Sequence, residues 1–321
     1  MKVLANDGIS AKAKAALEAE GITVSTDHVE QSNLIDTLNR EGYAGILVRS
    51  ATTVRQDLID ACPDLRFIGR GGVGMDNIDV AYAREQGKVV FNTPAASSQS
   101  VAELVMAHLF AMSRSLHRSY PAMPQRGAEE FKVLKKAYAK GIELRGKTLG
   151  IVGFGRIGTA VAQYALGCGM HVIGVDQEGT SRTVNVQIPL GSSKFQDISV
   201  DIPLVPLSDM LVQADAVTFH VPAQEDGSPV LDAAGVASMK EGAMLVNTAR
   251  GGTVDEAAVS AAVTSGHLRA AALDVFVGEP NPDPALLQVD GLALTPHIGA
   301  ATLEAQDRIG EEIVERILEL R

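Results

Sequence analysis

The chain has 321 residues, enough for two domains that each bury a core. Hydrophobic residues make up 46% and charged residues 21%, which excludes a disordered chain, and a formal net charge of -11 disfavours a sequence-independent grip on nucleic acid. The only cysteines, Cys62 and Cys168, lack metal-ligand spacing and read as reduced thiols, so neither a disulfide framework nor a metal centre is expected.

At the N-terminus, Met1 to Asp7 reaches a turn signal before a secretory apolar segment can form. Val3-Leu4-Ala5 reads as a strand, and a helix pattern follows Ser10 with Ala13, Ala16 and Leu17 on one face and Gly21 closing it. Further short apolar runs end in polar loops. Ile46-Leu47-Val48 leads into Arg49-Ser50-Ala51-Thr52, Phe67-Ile68 into Arg70-Gly71-Gly72-Val73-Gly74, and Val89-Val90-Phe91 into Asn92-Thr93-Pro94. Such alternation favours a parallel sheet covered by helices, with ligands at the carboxyl edge of the strands. Arg49 and Arg70 therefore share one rim.

A long helix begins near Ser98, with Val101, Leu104, Val105, His108 and Leu109 at helical spacing. It includes Glu103 and is too short to span a bilayer, so no membrane partner is expected and a cytoplasmic setting follows. The lysine-bearing stretch from Pro121 to Gly141 reads as a solvated helix or loop. From Lys147 a second alternating unit runs to about Thr295. Near residues 183–204 it is interrupted: Val184, Val186, Ile188 and Leu190, then Ile198, Val200, Ile202 and Leu204, alternate with polar residues around Gly191-Ser192-Ser193. Period-two patterning predicts an inserted β-hairpin, read as a surface elaboration. The tail from Leu303 to Arg321 carries Ile309, Ile313, Ile317 and Leu320 at helical spacing and could pack back on the first domain.

Gly153-Phe154-Gly155-Arg156-Ile157-Gly158 lies between a strand and a helix, and the next strand ends in Asp176. In that context the glycines give a tight turn, backbone approach to a pyrophosphate and close helix–strand packing. A carboxylate about 20 residues on accepts ribose hydroxyls and repels a 2′-phosphate, so NAD is favoured over NADP.

Three further islands each begin where an apolar run ends: Asn247-Thr248-Ala249-Arg250-Gly251-Gly252, Asp274-Val275-Phe276-Val277-Gly278-Glu279-Pro280 and Thr295-Pro296-His297-Ile298-Gly299-Ala300. They offer a fixed cation, a carboxylate and an imidazole, the parts needed to hold a 2-oxo acid and move a proton.

With the glycine motif, these blocks resemble the D-isomer-specific 2-hydroxyacid dehydrogenase family over almost the whole chain. The resemblance implies an α/β protein of two doubly wound parallel-sheet domains. A flavodoxin-like substrate domain would comprise residues 1–97 and 298–321, and an inserted Rossmann NAD-binding domain residues 98–297. It places the catalytic arginine at Arg250, the glutamate at Glu279 and the histidine at His297. Val48 to Thr52, Gly69-Arg70 with Gly74 to Asp79, and Glu304 to Ile313 are most similar to the branch that oxidises D-3-phosphoglycerate in the first step of serine biosynthesis. Gly71, where alanine is commoner, and the hairpin depart from that pattern. Feedback through a C-terminal regulatory domain is not expected.

Arg250 would capture the substrate carboxylate as a planar fork, together with backbone N–H groups around Gly72 and Val73. His297 would act as general acid/base, with Glu279 orienting the ring and stabilising its protonated form. Arg49 and Ser50 are the expected phosphate contacts. The expected cofactor contacts are Val73, Gly153, Gly155, Arg156, Ile157, Gly158, Asp176, Val221, Pro222, Thr248, Ala249, Asp274, Gly299 and Ala300, whereas His108 and His220 read as structural. The resemblance also implies a homodimer through the nucleotide domain, for which the helix after Ser98 is the expected interface. Two other readings stay open: a hydroxypyruvate or glyoxylate reductase of the same family, and a dinucleotide-sensing co-repressor.

Overall fold

The computed structural model describes residues 1–192 and 194–320; Ser193 of the expected hairpin turn, and Arg321, lie outside the described residues. The chain forms two compact units, Met1–Ser100 with Ala300–Arg321, and Val101–Gly299. In chain order the first unit holds β1 (Lys2–Ala5), α1 (Ala11–Ala19), β2 (Thr23–Ser25), α2 (Leu34–Glu41), β3 (Gly45–Val48), α3 (Gln56–Ala61), β4 (Phe67–Arg70), α4 (Val80–Glu85) and β5 (Val89–Asn92). Helix α5 (Ser98–Ser113) carries the chain onward to α6 (Leu116–Ala137), β6 (Thr148–Val152), α7 (Arg156–Gly167), β7 (His171–Val175), β8 (Ser181–Pro189) and β9 (Phe195–Pro203). Then come α8 (Leu207–Gln213), β10 (Ala216–Phe219), α9 (Ala233–Ser238), β11 (Met244–Asn247), α10 (Glu256–Ser265), β12 (Ala270–Leu273) and β13 (Leu292–Leu294), and α11 (Leu303–Leu318) closes the chain.

The first unit is a five-stranded parallel sheet of order β2-β1-β3-β4-β5. This is the flavodoxin-like order, and it sets a topological switch point between β1 and β3. Strands covered on both faces read as unbroken apolar runs, and Ile46, Leu47 and Val48 of β3 are all buried. Ser10 caps α1 by accepting the Ala13 N–H at 3.2 Å. Against this helix lies α11, tied by Lys12 Nζ to Glu311 Oε1 at 2.5 Å. Ile309, Ile313 and Ile317 of α11 are buried, and each stabilises the packing by about 1.5–3 kcal/mol. Truncation of one of them, as in Ile313→Ala, would cost about 2–5 kcal/mol.

The second unit is a six-stranded sheet of order β13-β12-β11-β10-β6-β7, parallel throughout. Beyond β7, a single parallel bridge from Gly174 to Leu204 is the remnant of another edge strand. Counting it restores the doubly wound order of a dinucleotide-binding fold. The hairpin of β8 and β9 occupies the chain between β7 and this bridge, in antiparallel register from Ser181↔Pro203 to Pro189↔Phe195. Its alternation is real, but only the base is covered. Val184 and Ile202 are buried, whereas Ile188, Leu190, Phe195 and Ile198 are exposed. The stretch from Pro121 is helical within α6, which breaks at Glu130 (φ -116, ψ 22). Among the described residues, no helix is long and apolar enough to cross a membrane.

The units divide at Ser100/Val101 and Gly299/Ala300, two or three residues beyond the expected limits. At the second boundary the Asp274 carboxylate accepts the N–H groups of Ile298 at 2.8 Å and Gly299 at 2.9 Å, holding both to the second unit.

Candidate active site

The glycine loop sits at the switch point of the second sheet, where β6 meets β10. Gly153 turns the chain with φ 90, a left-handed angle that strains other residues. A Cβ at Gly153 would lie 2.7 Å from the His220 carbonyl, and one at Gly158 would lie 2.2 Å from the Gly153 carbonyl. Both glycines are therefore steric necessities. A Cβ at Gly155 would meet nothing within 4 Å, so that position opens space. Helix α7 starts there with Gly155 as N-cap and no side-chain cap, leaving first-turn N–H groups to an anion.

Arg156 is exposed and Ile157 half-buried at this helix start. Asp176 follows β7, Val221 and Pro222 follow β10, and Thr248 and Ala249 follow β11, all on the carboxyl side of the same sheet. The Thr248 Oγ1 is buried without a hydrogen-bond partner among the described residues. An open cradle, uncapped N–H groups and an orphaned hydroxyl together fit a pyrophosphate-linked dinucleotide. His220 is enclosed beside Gly153; its Nε2 pairs with Thr218 Oγ1 at 3.1 Å, and burial pulls its pKa down to about 3.

The three islands meet in this unit through backbone and side chain. His297 Nδ1 and Glu279 Oε2 are 2.7 Å apart, and Glu279 Oε1 accepts the Phe276 N–H at 2.8 Å. The carboxylate is thus held from its own loop while it orients the ring, and Nε2 is the ring atom left to exchange a proton. His297 itself adopts φ 53, a strained angle for a non-glycine residue. Asp274 fixes that bend. It is 1% exposed, and Oδ1 also accepts the Thr295 hydroxyl at 2.6 Å. His108, buried in α5, backs Thr295 through an Nε2–Oγ1 contact of 3.2 Å. The Arg250 loop abuts the Glu279 loop, since a Cβ at Gly251 would fall 2.0 Å from the Phe276 carbonyl. One Arg250 nitrogen, Nη1, donates to the Ala249 carbonyl at 2.6 Å.

Two supporting residues were not foreseen. Glu256, at the start of α10, accepts the Val277 N–H at 2.7 Å and so pins the Glu279 loop from outside. Burial pushes its carboxyl above the usual range, against the Val277 and Gly252 N–H groups. Gly251 matters for close approach rather than for a turn. In sequence the only hint of Glu256 is its place beside Asp255, the cap of α10.

In the first unit, Asp7 joins the loops after β1 and β3: Oδ2 accepts the N–H groups of Arg49 at 2.6 Å and Thr52 at 3.1 Å. A depression of about 460 Å³ lies there, lined by Asn6, Asp7, Gly8, Thr26, His28, Arg49, Ser50 and Ala51. Arg49 Nη1 donates to Gln306 Oε1 of α11 at 2.7 Å. Burial pulls the Arg49 guanidinium below its usual range while Asp7 opposes it. Gly72 lies in a tight turn. Its N–H is engaged by the Arg70 carbonyl at 3.0 Å, because the chain turns back immediately after β4. Val73 is 39% exposed, and its carbonyl accepts from Asn92 Nδ2 at 2.6 Å. The carbonyl of Ala300 accepts from Gln306 Nε2 at 3.1 Å.

Residues 106–299 match the family described as D-isomer specific 2-hydroxyacid dehydrogenase, NAD binding domain. The chain is 40% identical over 320 residues to a hydroxypyruvate reductase of Thermotoga maritima, covering 98% of this chain and 97% of that protein. It is 38% identical over 318 residues to a D-3-phosphoglycerate dehydrogenase of Methanocaldococcus jannaschii, covering 99% of this chain but only 57% of that longer protein. Among solved structures, the TT0316 protein of Thermus thermophilus superposes with a TM-score of 0.83 at 31% identity, covering 99% of this chain and 96% of that one.

Proposed function

Because the chain belongs to the D-isomer-specific 2-hydroxyacid dehydrogenase family and carries its NAD-binding domain, we propose that its reaction is the oxidation of D-3-phosphoglycerate to 3-phosphohydroxypyruvate, the opening step of serine biosynthesis. The observation that carries this choice is the half-buried Arg49 at the switch point of the first sheet, beside the depression after β1 and β3. A partly desolvated guanidinium gains more from a dianionic phosphate than a solvated one, and Ser50 adds a hydroxyl donor. The first unit is then the substrate domain.

NAD, when bound, supplies the hydride acceptor. Arg250 holds the carboxylate next to the reacting carbon, turning its fork from the Ala249 carbonyl to the substrate. Neutral His297 takes the hydroxyl proton on Nε2, and Glu279 stabilises the imidazolium that results. In the reverse direction the same ring returns the proton. Thr248 Oγ1 and the first-turn N–H groups of α7 receive the cofactor.

The near full-length match to a hydroxypyruvate reductase favours a second reading, in which the same triad reduces a smaller acid. Turnover with 3-phosphoglycerate and with hydroxypyruvate separates the two, and turnover of either excludes a protein that only senses dinucleotide. Arg49→Ala should raise KM for the phosphorylated acid at least tenfold and leave hydroxypyruvate nearly unchanged. Equal effects on both acids would refute the phosphate assignment. A homodimer formed through α5 and α6 accords with the exposed Phe110, Tyr120, Met123 and Phe131. Sedimentation of the protein at monomer mass would exclude it.

A further inference from the structure

Arg182, the second residue of β8, reaches back to the end of β7, where its Nη2 lies 3.2 Å from Asp176 Oδ2. The other oxygen, Oδ1, accepts the Gln177 N–H at 2.8 Å. Asp176 therefore has a fixed orientation, set on one side by its own turn and on the other by the hairpin.

The hairpin is anchored where it presents Arg182. Val184 and Ile202 are buried at its base, and Gln163 Nε2 of α7 donates to the Asn185 carbonyl at 2.8 Å. The Leu204 N–H closes the base on the Thr180 carbonyl at 2.9 Å, and the Val205 N–H bonds the Gly174 carbonyl at 2.9 Å. Arg182 is thus carried by a braced ladder rather than by a free loop, next to the strand end that receives the adenosine ribose in this fold.

A carboxylate at that strand end accepts ribose hydroxyls and repels a 2′-phosphate, whereas a nearby arginine accommodates one. This chain holds both groups, paired to each other. We propose that Arg182 is a specificity-determining residue for the adenosine end of the dinucleotide: it aims Asp176 at the ribose and is itself a 2′-phosphate receptor kept occupied by that carboxylate. Preference for NAD then depends on one side chain, Asp176, and the hairpin is the element that makes it so. The proposal rests on Asp176 facing the ribose. Its energetic scale is that of a partly exposed pair, with side chains 44% and 23% accessible, so removal of the arginine alone has a modest effect.

The test is equilibrium titration of the full chain, without substrate, by NADH and by NADPH, followed by calorimetry or nicotinamide fluorescence. Wild type, Asp176→Ser, Arg182→Gln and the double variant are compared. Asp176→Ser should weaken NADH severalfold and tighten NADPH about tenfold or more, and the double variant should lose that gain. Arg182→Gln alone should widen the preference for NADH about two- to fivefold. If NADPH binds Asp176→Ser and the double variant with the same Kd, Arg182 is a surface ion pair only and the proposal falls. If Asp176→Ser leaves both dinucleotides unaffected, the ribose does not meet Asp176, and the premise fails separately from the role of the arginine. Melting of Arg182→Gln at the wild-type temperature shows that the readout is not loss of fold.

Discussion

Replacement of Asp274 by alanine removes a buried carboxylate that braces the residues flanking the His297 bend. Its carboxylate accepts the Thr295 hydroxyl at 2.6 Å, the Ile298 N–H at 2.8 Å and the Gly299 N–H at 2.9 Å, at 1% exposure. Hydrogen bonds to a charged acceptor contribute about 1.5–3 kcal/mol each, so three lost bonds, offset by water entering the gap, cost about 3–5 kcal/mol. In a unit of this size that lowers Tm by roughly 10 °C. The residues released flank His297, whose φ of 53 is uphill without them, so kcat falls with stability. Asp274→Asn, which keeps one acceptor oxygen, should lose about half as much. Urea unfolding and steady-state turnover of the three proteins measure both effects. A stability loss under about 1 kcal/mol for the alanine variant would refute the reasoning, because buried donors cannot be abandoned so cheaply.

Two further substitutions separate packing from cofactor binding in the glycine loop. Gly158→Ala, which drives a methyl to 2.2 Å from the Gly153 carbonyl, should destabilise the unit by about 1–3 kcal/mol. Gly155→Ala meets nothing within 4 Å, so its melting should match wild type while NADH affinity falls; the reverse pattern would contradict the assignment. Asp215 gives a pH test. Burial alone would raise its carboxyl, but Lys240, the Thr148 N–H and Lys147 together hold it below its ordinary 3.8. Its contribution is therefore present above the unfolded value and lost as pH falls through the lower folded one. Asp215→Asn should be less stable than wild type near neutral pH, with the gap closing in acid, as followed by urea unfolding across pH. A gap that persists or widens in acid would exclude that charge linkage.

Elements with a short-range signature were legible from sequence. The stripe of Ile309, Ile313 and Ile317 specifies the buried face of α11, and the strand–glycine–helix context of Gly153 to Gly158 specifies a dinucleotide turn. Alternation from Val184 onward announced the hairpin, because period-two patterning is local. What it did not disclose was that Val184 and Ile202 are buried and Val186 and Val200 partly so, while Ile188, Phe195 and Ile198 stay bare, since that depends on α7 and β7 lying underneath. Strand order and the collapse of an edge strand to one bridge at Leu204 are likewise properties of packing, not of any window of residues. Asp274 and Glu256 act on N–H groups more than twenty positions away, so the groups they hold cannot be read from the residues beside them. The turn that ties the Gly72 N–H to the Arg70 carbonyl is likewise a matter of backbone geometry, which the run Arg70-Gly71-Gly72 does not specify.

The most direct measurement of the whole account is the turnover of His297→Ala alongside its NADH affinity. Loss of the proton-exchanging ring should lower kcat about 10²- to 10⁴-fold, with NADH bound as tightly as by wild type within about twofold. A variant that keeps its rate within a few fold of wild type would contradict the assignment of His297, paired with Glu279, as the acid and base of this enzyme.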